Sequence, residues 1–279
     1  MPESISMTSY PAAPAGVPSG ERRRPASHWT DWGKWLALIS MSVDHVTRFA
    51  LPAAWPLGWA SDTVGRVAFP LFAAMVAWHA LFDTRNPWRY ARRIVMIGLV
   101  AQLPYMLMPR VLSMPVLNVC FTLALGLIVG SALLRLAQQP PRTLAMQIAA
   151  MLMVLFACML ALLFEDLFHV RLEYGWTGVL LIPVFMLVLH LAARADGLQR
   201  LLILPATGLL ALVAWPLNIV PISQWIALMT CLLVTGLALG GAQHVPALPR
   251  RFVMPRVLWL GWYPGHLALI ALWVVLSGR

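Results

Sequence analysis

About nine apolar segments, each near the ~20 residues that cross a hydrocarbon core, fill this chain and leave room for little else. They run Trp32 to Ala53, Val67 to Phe82, Ile94 to Met108, Val116 to Ala137, Leu144 to Phe164, Gly178 to Ala193, Leu201 to Ile219, Ile222 to Gly240 and Val257 to Leu276. Backbone groups in lipid must be satisfied within the segment, so runs of this length are helices. The balance of 61% hydrophobic against 11% charged residues excludes a soluble core of this size. The expected fold is all-α, a polytopic transmembrane bundle of about nine helices.

The stretch from Met1 to His28 is rich in Pro, Ser, Ala and Gly and lacks an apolar run. It reads as a disordered basic tail (1–28) before a single membrane domain (29–279), and not as a cleaved signal. The net charge of +10 is spread as punctuation between helices, which argues for membrane topology and against nucleic acid. With the N-terminus cytoplasmic, Arg22 to Arg24, Lys34, Arg85, Arg89, Arg92, Arg93, Arg135, Arg142, Arg194, Arg200, Arg250, Arg251 and Arg256 all fall at cytoplasmic ends. Only Arg48, Arg66, Arg110, Arg171 and Arg279 do not, and an odd helix count puts the C-terminus outside. Trp29, Trp32 and Trp35 suit interfacial anchors. Cys120, Cys158 and Cys231 lie in apolar runs without metal-binding spacing and read as small core residues, with no metal site expected. Gln243 to Arg256, with three prolines, reads as a semi-rigid cytoplasmic loop, and Glu165 to Tyr174 as an outer one.

Ionisable groups at membrane depth are costly, so the few that occur mark candidate chemistry. Eleven helical steps from Lys34 set His45 roughly 16 Å into the bilayer, and His266 follows Arg256 by ten steps in a helix running the same way. The two histidines can share a cavity if the first and last helices are neighbours. Asp44 and His45, being adjacent, cannot face each other; Asp44 shares a face with Arg48 and Ser40. An Asp44 to Arg48 ion pair leaves His45 neutral and available as a base. Arg66 opens the second helix, where Pro70 is expected to kink the chain and turn Arg66 inward, toward Asp44 or a developing oxyanion. A His held by a helix carbonyl and an Arg snorkelling to the interface are the plainer alternatives.

The run Asp83 to Arg93 is the densest charge cluster. Read as a loop it is a topology signal; alternatively Arg85, Arg89, Arg92 and Arg93 form a phosphate-binding mouth. Gln102, Pro104, Asn118 and Thr122 either line a tunnel below it or bond between helices.

Several segments in register carry a resemblance: Lys34-Trp-Leu-Ala-Leu-Ile-Ser-Met-Ser-Val-Asp44-His45, Gly65-Arg66-Val-Ala-Phe69-Pro70-Leu-Phe72, Thr84-Arg85-Asn86 with Tyr90 and Arg92, and Gln102-Leu-Pro104-Tyr105. They continue through Asn118-Val-Cys-Phe121-Thr122-Leu-Ala-Leu-Gly126, Glu173-Tyr174-Gly175 and Trp262-Tyr263-Pro264-Gly-His266. Together they resemble the TraX family of conjugation proteins. Trp78 and His79 depart from the acidic and small residues the family pattern leads one to expect. Lys34 and His45, with ten residues between them, also look like the Arg-x10-His pattern of membrane acyltransferase-3 proteins.

The resemblance implies acetyl transfer from acetyl-CoA to the N-terminal amine of a pilin subunit, in the bacterial inner membrane, during conjugative pilus biogenesis. It implies His45 as base, Arg66 or His266 on the oxyanion and Asp44 holding the electrostatics. Lys34, Arg85, Arg89, Arg92, Arg93 and Asn118 would then receive the donor. An O-acetyltransferase acting on a glycan or lipid hydroxyl, a proton-coupled transporter and a non-enzymatic pilin-assembly protein are the alternatives. The absence of a visible internal repeat counts against the transporter.

Overall fold

The computed structural model describes residues 27–52, 55–108, 114–137, 170–194 and 197–278. The apolar segment Leu144 to Phe164, Cys158 and most of the N-terminal tail lie outside these.

Among the described residues the protein is all-helical apart from one two-residue strand pair. The helices are α1 (His28–His45), a short α2 (Gly58–Asp62), α3 (Ala68–Phe82), α4 (Pro87–Met106) and α5 (Val119–Ala137). They continue as α6 (Gly175–Arg194), α7 (Ile203–Ala214), α8 (Pro221–Gly236) and α9 (Arg256–Leu276). Among the described residues five helical stretches are long and apolar enough to cross a membrane: Gly58–Phe82, Val119–Leu136, Gly175–Ala193, Arg200–Leu217 and Arg250–Leu276.

The centre of the bundle is α3, whose sequence AFPLFAAMVAWHALF is apolar on every side and therefore buried on every side. Ala73, Ala74 and Ala77 are wholly enclosed, letting neighbouring helices approach closely. The same device joins α5 to α6: a Cβ on Gly126 would lie 2.6 Å from the Val179 carbonyl oxygen. Strands β1 (Val116–Leu117) and β2 (Arg171–Leu172) pair in parallel just before α5 and α6, so these two helices start side by side and run the same way.

One end of the bundle collects most of the cations among the described residues. Trp29 packs edge-on against Trp78, joining the start of α1 to the end of α3. The Trp32 and Trp35 indoles donate to the carbonyls of Pro246 and Phe252, tying the segment before α9 to the same end. Lys34, Arg85, Arg89, Arg92, Arg93, Arg250, Arg251 and Arg256 share this basic end. Trp29 is thus a core residue, not an interfacial anchor, because its ring is covered by Trp78.

Three local expectations change. The first helix passes into a π-helical turn, Val46–Ala50, directly after His45. Arg66 lies in a 3-10 turn (Val64–Val67) that runs straight into α3, and Pro70 falls in the first turn of α3. The basic run is only partly loop, since Asn86 caps α4 through the Arg89 N–H and puts Arg89, Arg92 and Arg93 on the helix.

Candidate functional site

The end of α1 and the middle of α9 bring His45 and His266 together. His45 Nδ1 lies 2.7 Å from His266 Nε2, with the rings nearly parallel and centroids 5.0 Å apart. His266 Nδ1 in turn lies 2.7 Å from the carbonyl oxygen of Trp262. A carbonyl only accepts, so His266 Nδ1 carries a proton, and in a neutral ring its Nε2 must accept. The proton in the pair then sits on His45 Nδ1, which makes His45 Nε2 the basic nitrogen. The chain Trp262 C=O, His266, His45 therefore fixes the tautomer and plane of both rings. Pro264, inside α9, cannot bond back to the preceding turn, which loosens the helix where this relay is built.

Asp44, one residue earlier, faces away from this pair into an ion cluster. Its Oδ1 accepts from Ser61 Oγ at 2.5 Å and from Arg66 Nη2 at 3.2 Å, with Arg48 Nε at 3.3 Å. Arg66 is almost fully enclosed: the same Nη2 also donates to Ser61 Oγ, while Nε donates to the Ser61 carbonyl and Nη1, at 3.4 Å, to Asn218 Oδ1. The carboxylate is thus shared by two guanidinium groups, not held by Arg48 alone, because the 3-10 turn swings Arg66 onto it. Gly65 permits the approach: a Cβ there would lie 2.7 Å from Asp44 Cβ. Ser40 does not reach Asp44; it donates to the Val64 carbonyl.

Beside the histidines, toward the basic end, lies an apolar-walled cavity of about 90 Å³. Leu38, Met41, Phe72, Ile94, Ile97, Cys120, Trp259 and Tyr263 are among its walls. Tyr263 forms the link to the histidines, with ring centroids 6.5 Å from His45 and 5.9 Å from His266. A second cavity, of about 260 Å³, opens between the start of α4 and the end of α5, walled by Pro87, Trp88, Ile128, Ser131 and Arg135 among others.

The remaining predicted residues divide. Arg85, Arg89, Arg92 and Arg93 are exposed, and none forms a wall of either cavity, although Ile94 and Ile97 on the same helix do. Lys34 pairs with Asp31 at 2.7 Å. Asn118, wholly buried, is a clamp: its amide donates to the Gly98 carbonyl and Gln102 Oε1, and its Oδ1 accepts from the Cys120 N–H. That ties α4 to the start of α5.

Sequence reasoning missed Ser61, Asn218, Tyr263 and Glu173. Glu173 Oε2 accepts the Val119 N–H at the start of α5, where the helix dipole favours a carboxylate. Tyr174 beside it takes a left-handed φ of 63° that few side chains adopt, held by stacking on Phe69 at 4.0 Å. The Glu173-Tyr174-Gly175 and Trp262-Tyr263 motifs were the available signal. No group of three or more potential metal ligands occurs among the described residues. Cys120 and Cys231 are free, buried thiols.

This arrangement spans the chain from α1 to α9, and so does the match to known sequences: the TraX protein family profile covers residues 30–276. The chain belongs to the TraX family. No curated protein and no solved structure matches it. Every residue of the histidine pair and the ion cluster falls inside the TraX match.

Proposed function

We propose that this TraX-family chain is an acetyltransferase of the bacterial inner membrane, moving acetyl from acetyl-CoA to the N-terminal amine of a pilin subunit in conjugative pilus biogenesis. In this reading the basic end is cytoplasmic, the N-terminus lies inside and the chain crosses nine times. The donor enters from the basic end. Its anionic nucleotide is drawn by Arg85, Arg89, Arg92, Arg93 and Lys34, and its apolar arm lies between α4, α5 and α9. The acceptor amine arrives from the opposite side, where a pilin still anchored in the bilayer presents its N-terminus after leader cleavage.

The observation that carries this reading is the directed relay from the Trp262 carbonyl through His266 to His45, set against an apolar cavity. Such a relay does for an imidazole what a buried carboxylate does in a hydrolase triad: it selects the tautomer and orients the base. The amine nitrogen attacks the thioester carbonyl carbon as His45 Nε2 takes the amine proton, and collapse expels the coenzyme A thiolate. A free α-amine has an ordinary pKa of about 7.7 to 8.0, so the base has little work to do near neutral pH. The Asp44, Arg66, Arg48 and Ser61 cluster holds the end of α1 in place.

Purified protein, labelled acetyl-CoA and pilin provide the test. Label on the pilin N-terminus with wild type, and its loss with His45→Ala in folded protein, is the expected result. A wild-type protein that binds acetyl-CoA but labels only glycan or lipid hydroxyls would replace the acceptor. One that neither binds nor transfers would end the transferase reading.

A further inference from the structure

We propose that the Tyr263 hydroxyl donates the hydrogen bond that stabilises the oxyanion formed on the thioester carbonyl oxygen; this rests on the acetyl-transfer reading. The phenol oxygen is buried and has no hydrogen-bond partner. Leaving a buried hydroxyl unpaired is costly, and a partner that arrives with a ligand removes that cost. Among the described residues five other buried side-chain atoms share this condition, on Trp29, Trp78, Ser131, Trp176 and Thr235. Of these six residues, Tyr263 is the one that both walls the cavity beside the histidines and touches their rings.

The competing donors are already engaged. The Arg66 guanidinium bonds Asp44, Ser61 and Asn218, and the His266 Nδ1 proton goes to the Trp262 carbonyl. Tyr263 is positioned one helical turn before Leu267 and three residues before His266, on the face of α9 that is buried in the bundle. In the step, the amine nitrogen bonds to the carbonyl carbon and the carbonyl π pair moves to oxygen, where the Tyr263 O–H donates. Return of that pair re-forms the carbonyl and breaks the carbon–sulfur bond, and the thiolate leaves with the electron pair. His45 Nε2 holds the amine proton, which the departing thiolate can take. Tyr263 keeps its own proton throughout.

The test is Tyr263→Phe in the full-length protein, with three readouts. Turnover should fall about 10²- to 10³-fold, as when one oxyanion donor is lost. Acetyl-CoA affinity should change less than about threefold, and the melting temperature should hold or rise, since an orphaned hydroxyl has been removed. The infrared carbonyl band of bound ¹³C-acetyl-CoA should move toward its position in water-free solvent in the variant. Wild-type turnover in Tyr263→Phe overturns the proposal while leaving the transferase standing. A fall in turnover matched by a lower melting temperature and an unmoved carbonyl band overturns it in favour of a packing role. A wild-type protein that transfers no acetyl removes both this proposal and the reading beneath it.

Discussion

His45 Nδ1 and His266 Nε2 meet at 2.7 Å across 221 residues of sequence, with a backbone carbonyl behind His266 setting the direction of the pair. A base whose tautomer depends on a partner loses activity when the partner goes, even though the base itself remains. His266→Ala should therefore lower turnover about 10²-fold or more, within the range for general-base catalysis. Combined with His45→Ala the losses should be far from additive, because the two rings act as one unit. A double variant whose loss equals the product of the single losses, measured by labelled acetyl transfer, would separate the histidines functionally.

Asp44 shares its carboxylate between Arg66 and Arg48, and the Asp44 to Arg66 contact is almost fully enclosed. Removing one member of a buried pair leaves a charge without compensation, at a cost of about 3–5 kcal/mol. Asp44→Asn should lower the melting temperature in detergent sharply. Asp44→Leu with Arg66→Met should be less destabilised than Asp44→Leu alone, since the enclosed charge is gone and the one left unpaired, on Arg48, is 40% exposed. The reverse ranking would mean the pair is not a desolvated unit.

Gly65 packs directly on that carboxylate, and an added methyl would meet Asp44 Oδ1 at 2.8 Å. Both atoms belong to short, tethered groups that cannot swing aside. Gly65→Ala should destabilise by about 1–3 kcal/mol, in the range for overpacking. Gly208→Ala, where a Cβ meets nothing within 4 Å, is the control that should keep wild-type stability by thermal melting.

The legibility of this molecule from sequence follows the range of the forces involved. Hydrophobic length is local, so the apolar runs found α3 to within one residue and the start of α9 likewise. The shared depth of His45 and His266 was equally visible, because both are counted along helices from basic ends. What could not be seen depends on turns. The π-helical turn after His45 and the 3-10 turn that swings Arg66 onto Asp44 leave no periodic trace. Nor does an isolated tyrosine in an apolar helix announce that its hydroxyl will be left unpaired. The arginines of α4 were found by their density, but their exposure depended on which face the isoleucines would claim.

Asn118 is the residue whose role depends most on its surroundings. Its side chain joins the Gly98 carbonyl, Gln102 and the Cys120 N–H, so its capacity is spent inside the protein. Asn118→Ala should strand these buried partners and destabilise by about 1–3 kcal/mol. The KM for acetyl-CoA should stay within about twofold in the fraction that folds, and a selective rise in KM would instead place Asn118 against the donor.

Arg85, Arg89, Arg92 and Arg93 are exposed around the start of α4 and wall neither cavity, so their action on an anionic donor is expected at a distance. Long-range attraction accelerates encounter and fades as salt shortens the Debye length to about 3 Å near 1 M. Replacing all four by Gln should lower kcat/KM about tenfold at low ionic strength, through association rather than kcat. The gap between variant and wild type should close as salt is raised. A defect that persists at about 1 M salt would mean that at least one of these guanidinium groups is in direct, desolvated contact with the donor phosphates.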